Sequence, residues 1–255
     1  MCAARGTKQI PAGERVAVEV RQAVQAGDVE HLRRLLQEDP ELASARLVAP
    51  DGGGRTPLHV VTDWPGYFPN GPAIVRLLIE AGADVDARTT GRGGAIEEPG
   101  SETPLHWAAS SDDSDVAEAL IEGGADIEAP NGSIGTPLDN AIGYGCYHVA
   151  RLLVARGARV DKLWHAGALG LLERLEQLLA RKPDPAEISQ AFWHSCAASQ
   201  RRAAERLLAA GADVNWVPEY ARGTPLDAAS GRNTRQQNVI TWLSELGARQ
   251  AAPDA

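Results

Sequence analysis

Apolar positions fall into short clusters at helical spacing along the whole 255-residue chain, separated by polar, glycine-rich or proline-rich stretches. Ile74, Leu77 and Leu78, then Val116 and Leu120, then Val149, Leu152 and Leu153 each place one apolar stripe on a short helix. Helices this short are marginal alone, so the pattern predicts segments that pack on one another. Most of the clusters run into Gly-Ala: Gly82-Ala83, Gly124-Ala125, Gly157-Ala158, Gly211-Ala212 and Gly247-Ala248. Glycine takes a positive φ without steric cost, so each is expected to be the left-handed residue that ends a helix. The segments after these glycines, such as Asp84-Val85-Asp86-Ala87 and Ala129-Pro130-Asn131-Gly132-Ser133, have the composition of hairpin-like turns.

A second signal alternates with the first: Thr56-Pro57-Leu58-His59, Thr103-Pro104-Leu105-His106, Thr136-Pro137-Leu138-Asp139 and Thr224-Pro225-Leu226-Asp227. Threonine caps a helix through its hydroxyl, and proline fits the first helical position, where its missing N–H is harmless. A helix is therefore predicted to start at each copy. The fourth residue falls where a side chain can reach back to the cap N–H, so Asp139 and Asp227 are chemically sensible replacements for histidine. Small residues come next, as in Ala108-Ala109 and Ala228-Ala229, and allow a second helix to approach closely.

These residues resemble the ankyrin repeat, whose period is about 33 residues and whose consensus carries T-P-L-H-x-A. Thr103 to Thr136 and Gly124 to Gly157 both span that period. The resemblance implies an all-α ankyrin-repeat solenoid of stacked helix-turn-helix units with short hairpin-like loops. It covers residues 14–249 as about seven helical hairpins, between a flexible N-terminal extension over 1–13 and a C-terminal tail over 250–255. Two hairpins lack the Thr-Pro-Leu signal but keep its internal distances, Leu163 with Leu178-Leu179 and Phe192 with Leu207-Leu208; they read as degenerate, shortened repeats. The stretches from Asp63 to Pro72 and from Thr89 to Glu102 read as insertions on the surface.

The formal net charge of −9 opposes a nonspecific grip on nucleic acid, which needs a basic face. No apolar run approaches the length that crosses a bilayer, and the first twenty residues lack the apolar core of a secretion signal. Cys2, Cys146 and Cys196 are sparse and odd in number, which suits a reducing compartment. The expectation is a soluble, cytoplasmic, monomeric protein that contacts neither nucleic acid nor membrane.

Candidate chemistry is thin. The chain has no G-x-S-x-G, H-E-x-x-H or phosphate-loop motif, and Gly52-Gly53-Gly54 reads as a flexible turn without the phosphate-binding lysine. Cys146-Tyr147-His148 and His194-Ser195-Cys196 offer zinc ligand types without the usual spacing and on nonadjacent repeats. No catalytic residue, cofactor or metal is expected. His59 and His106 read as structural groups at helix starts.

The resemblance instead implies a protein partner, held along a groove made by the first helices and the loop tips. Carried over by position, it points to Trp64, Ser110, Ser111, Tyr144, Leu169 and Arg232, with Trp216 and Tyr220 at loop tips. Aromatic anchors are favoured at such surfaces, which singles out Trp64, Tyr144, Trp216 and Tyr220. Trp107 stands where the consensus buries a leucine and is expected in the core. The aromatic stretch Tyr67-Phe68 is either a contact site or a flap packed on a neighbouring repeat. A different class of function stays open: a small-ligand site or enzyme pocket formed by the loops at 64–72 and 89–102.

Overall fold

The computed structural model describes residues 7–91, 101–231 and 237–251. The chain divides into two compact units, residues 1–158 and 159–255. In the first unit the helices come in pairs: α1 (Arg15–Ala26) with α2 (Val29–Glu38), α3 (Pro57–Thr62) with α4 (Gly71–Glu80), α5 (Pro104–Ser111) with α6 (Ser114–Glu122), and α7 (Pro137–Gly143) with α8 (Tyr147–Ala155). First helices pack on first helices, α1 on α3 on α5 on α7, and second helices likewise, α2 on α4 on α6 on α8. The apolar stripes face inward: Leu58, Leu105 and Leu138 from the first helices and Ile74, Leu78, Val116, Leu120, Val149 and Leu153 from the second are all buried. Burying one such side chain is worth about 1.5–3 kcal/mol. Each pair obtains that only by lying against its neighbours, which is why the elements are stable as a stack.

A helix starts directly after the threonine at all four Thr-Pro-Leu copies, and the threonine hydroxyl accepts from the amide of the fourth motif residue at Thr136 and Thr224. The Thr56 N–H donates to His59 Nδ1 at 3.2 Å, and the Thr103 N–H donates to His106 Nδ1 at the same distance. A ring nitrogen that accepts from an amide carries no proton, so Nε2 holds it and donates onward. His59 Nε2 reaches the Glu102 carbonyl at 3.0 Å, and His106 Nε2 reaches that of Gly135 at 3.0 Å. Each histidine thus caps its own helix and ties it to the start of the next repeat. Asp139 and Asp227 keep the first role, accepting from the Thr136 and Thr224 amides at 2.7 and 2.8 Å. At the other end of the pairs, Gly82, Gly124, Gly157, Gly211 and Gly247 all have positive φ, as expected of left-handed caps.

A three-stranded sheet was not legible in the periodicity. β1 (Gln9–Pro11) pairs in parallel with β2 (Arg46–Val48), Ile10 opposite Leu47, and β2 pairs antiparallel with β3 (Gly54–Arg55), Leu47 opposite Arg55. Ile10 and Leu47 are buried, which gives these strands their alternation. Residues 9–11, placed by the sequence pattern in a flexible extension, are therefore part of the sheet. Gly54, read as part of a flexible turn, is paired to Val48 and bridged to Thr90.

The second unit repeats the plan with α9 (Leu163–Leu169) and α10 (Leu172–Leu179), α11 (Pro185–Ala197) and α12 (Arg201–Ala209), and α13 (Pro225–Ala229) and α14 (Gln237–Glu245). α9 packs on α11 and α11 on α13. Of the two hairpins without Thr-Pro-Leu, the second has the longer first helix: α11 has 13 residues against 7 in α9. Its start carries a capping box under different letters, with Asp184 Oδ1 accepting from the Glu187 amide at 2.8 Å and Pro185 at the first turn. The loop residues that precede a first helix elsewhere have here been absorbed into α11 itself.

Candidate binding groove

In the first unit, a groove of about 450 Å³ is lined by Thr62, Asp63, Trp64, Glu102, Trp107, Ser110, Ser111 and Tyr144. It draws on the ends of α3, α5 and α7 and on both insertions. Four of the residues indicated by the sequence, Trp64, Ser110, Ser111 and Tyr144, are brought together here. The exposure of Trp64 is 81% and that of Tyr144 is 56%, so both rings stand in solvent at the rim.

The loop that carries Trp64 is fixed from both sides. Asn70 Nδ2 donates to the Gly27 carbonyl at 2.9 Å in the turn between α1 and α2. On the opposite side, the Tyr67 N–H donates to Asp113 Oδ2 at 2.7 Å and the Tyr67 hydroxyl to the Asp112 carbonyl at 2.5 Å, in the turn between α5 and α6. Desolvation, aided by the charges of Asp112 and Asp113, raises the Tyr67 pKa. Tyr67 is thus a strap across neighbouring repeats, and Trp64 is held out by a rigid support.

The floor is hydrogen-bonded with equal care. Ser111 Oγ donates to the Thr62 carbonyl at 3.0 Å, and Ser110 Oγ donates to that of His106 at 2.9 Å. Tyr144 Oη lies 3.3 Å from Ser133 Oγ. Trp107 is half-buried and meets His59 edge to face at 5.2 Å, so it is a wall of the groove where the sequence predicted a core residue. Trp107 also lines a second cavity of about 450 Å³, with Leu47, Arg55, Thr90 and Ser101.

Glu102 and Asp63 supply the charge. Asp63 is ion-paired with Arg55. Glu102 is pinned through its backbone, whose carbonyl accepts from His59 Nε2 at 3.0 Å and from the Thr89 amide at 2.9 Å. Its carboxylate Oε1 accepts from Asn140 Nδ2 at 2.6 Å and from the Ser133 amide at 2.9 Å. Glu102 was missed because it looked like the last residue of a long loop; its place directly before Thr103 was the available signal.

The remaining indicated residues lie elsewhere. Leu169, in the second unit, is buried. Trp216 is half-buried in the same unit, and Tyr220 is exposed, its hydroxyl 3.0 Å from His194 Nε2. Arg232 lies outside the described residues, as do residues 92–100 of the second insertion.

The thiol and imidazole pairs do other work. Cys146 Sγ donates to the Ser110 carbonyl at 3.3 Å, and burial, with the charge of Asp112, pushes its thiol up to about 11. His148 Nδ1 lies 2.7 Å from Asp112 Oδ2. Burial raises the Cys196 thiol and lowers His194 to about 4. Among the described residues, no group of three or more His, Cys, Asp or Glu side chains is placed to hold a metal. Nor, among them, is any helix long and apolar enough to cross a membrane.

Residues 70–162 match the family model of ankyrin repeats in three copies. Over 88 residues the chain is 40% identical to protein fem-1 homolog A of Danio rerio, which spans 31% of this chain and 13% of that protein. Over 137 residues it is 31% identical to the nuclear factor NF-kappa-B p105 subunit of Gallus gallus, spanning 53% of this chain and 12% of that one. The chain therefore matches under a fifth of these relatives' length. Among solved structures, the ankyrin repeat domain of human ASB11 aligns over 92% of this chain and 99% of its own with a TM-score of 0.50 and 18% identity. That of Bcl-3 aligns over 90% and 99% with a TM-score of 0.50 and 24% identity. Both likenesses concern the fold.

Proposed function

We propose that this chain, which is an ankyrin-repeat protein by its family match and its fold, binds a partner protein in the groove of its first unit. Ankyrin repeats are protein-interaction modules. The observation that carries the reading is the convergence of Trp64, Trp107 and Tyr144 on one concavity, two of them largely exposed on rigid supports. Large exposed rings on a preordered surface bind with little entropic cost, which is what makes aromatic residues anchors. The protein acts as a monomeric cytoplasmic scaffold or inhibitor, without a catalytic step, and residues 14–249 form its repeat region.

The test is capture of the natural partner from the native cell by the wild-type chain and by a Trp64→Ala/Tyr144→Ala double variant. Both side chains are outside the core, so the melting transition should stay within a few degrees while capture of a specific protein is lost. Equal capture by the two chains would remove the groove from the interface.

A second reading is favoured by the cavity beyond Trp107, which has the dimensions of a small-molecule site and takes Thr90 and Ser101 from the second insertion. A metabolite that binds there would raise the melting temperature of the chain.

A further inference from the structure

We infer that the groove is built to seat a cationic side chain, the ammonium of a lysine or the guanidinium of an arginine, projecting from the partner protein. The inference rests on the groove being the partner's site, and it specifies what the partner must present.

Four observations lead to it. First, three aromatic rings, Trp64, Trp107 and Tyr144, line one concavity together with a carboxylate, Glu102. A cation is the one common group that gains from both kinds of wall, through the quadrupole of the rings and the charge of the acid. Second, Glu102 is preorganised: two hydrogen bonds hold its backbone carbonyl, and two more fall on Oε1. Among the described residues Oε2 accepts none, so one oxygen of a fixed, half-buried carboxylate is available to an incoming donor.

Third, the arginine bordering the groove does not cancel this charge, because Arg55 is already ion-paired with Asp63. An anionic ligand would meet Glu102 with no free cation among the lining residues to offset it. Fourth, a purely apolar segment would cover the Glu102 carboxylate, both of whose hydrogen bonds fall on Oε1, and take Oε2 out of water without a donor, which is costly. The formal net charge of −9 adds a long-range attraction toward a basic surface and a repulsion toward an acidic one.

The full chain is incubated with immobilised pools of randomised heptapeptides whose central residue is fixed as lysine, Nε-trimethyllysine, arginine, norleucine or glutamate. Norleucine matches the lysine stem without the charge. The expected result is at least about tenfold greater retention by a cationic pool than by the norleucine pool. This excess should shrink as salt rises and fall several-fold in Glu102→Gln and in Trp64→Ala. The exposure of Trp64 makes the second variant safe for folding, and unchanged melting checks the first.

Equal retention by the norleucine pool, preference for glutamate, or retention by no pool would overturn the inference. So would binding of free tetramethylammonium with no peptide pool retained, which would assign a small-molecule site. Failure of the inference alone leaves partner capture sensitive to Trp64→Ala/Tyr144→Ala but indifferent to Glu102→Gln. Failure of the binding reading leaves capture indifferent to all three.

Discussion

Asn140 Nδ2 donates to Glu102 Oε1 at 2.6 Å, so a buried side chain from the third Thr-Pro-Leu helix fixes the carboxylate that precedes the second. The same carboxamide accepts from the Ile134 amide at 3.1 Å through Oδ1. Replacing it by alanine removes both partners at once. Asn140→Ala should cost about 1–3 kcal/mol in urea unfolding and weaken partner capture together with it, because the Ser133 amide alone then holds the Glu102 carboxylate in the groove. A variant that loses stability and keeps full capture would show that the orientation of Glu102 is irrelevant to binding.

The loop that presents Trp64 depends on a residue far from it in sequence. A Cβ on Gly27, whose φ is +67°, would lie 2.1 Å from the Pro69 carbonyl oxygen. Backbone atoms cannot move aside as the end of a flexible side chain can. Gly27→Ala is expected to lower stability by about 1–3 kcal/mol and to reduce capture as well, by dislodging the Asn70 to Gly27 hydrogen bond. Unchanged capture and stability would show that the Asn70 to Gly27 contact does not position the tryptophan.

Gly124 isolates the backbone contribution, since its φ is +94° and a Cβ added there would meet nothing within 4 Å. Gly124→Val should therefore destabilise through the left-handed conformation alone, by about 1–3 kcal/mol. Calorimetry of the variant with wild-type stability would refute the cap assignment.

These positions show how much the sequence disclosed. The helix starts and ends were readable because their chemistry is local: the cap, the proline and the terminal glycine lie within one turn of what they control. Trp64, Ser110, Ser111 and Tyr144 could be placed on one surface because the repeat converts position in sequence into position in space. Glu102 and Trp107 escaped because their roles come from His59, Asn140 and Ser133, each on another segment, and nothing in a single repeat signals them. The sheet escaped for a similar reason, as β1 and β2 are three residues each and pair across the first helical hairpin. The start of α11 was hidden only by its letters, Asp-Pro-Ala-Glu in place of Thr-Pro-Leu-Asp.

Buried histidines set the acid response. Burial lowers the pKa of His59 to about 3 and that of His194 to about 4, and it lowers His106 as well. In the unfolded chain these imidazoles titrate near 6.5, so the unfolded state takes up protons first as pH falls. The stabilisation is complete above that value and is lost on acidification toward the folded pKa values. The slope is about 1.4 kcal/mol per pH unit for each histidine once the unfolded form is fully protonated. Melting temperature followed from pH 7.5 to 4.5 should be level above about 7 and fall steadily below about 6. A flat profile would contradict the neutral Nε2-protonated state assigned to His59 and His106.

Photocrosslinking in the native cell tests the groove most directly. A benzoylphenylalanine at position 64 replaces one exposed ring by another, and the same group at Arg33, on the exposed face of α2, serves as the reference. A partner seated in the groove gives a discrete adduct with one protein from position 64 and none from position 33. The same adduct from position 33, with none from position 64, would place the partner on the second helices and contradict the groove as its site.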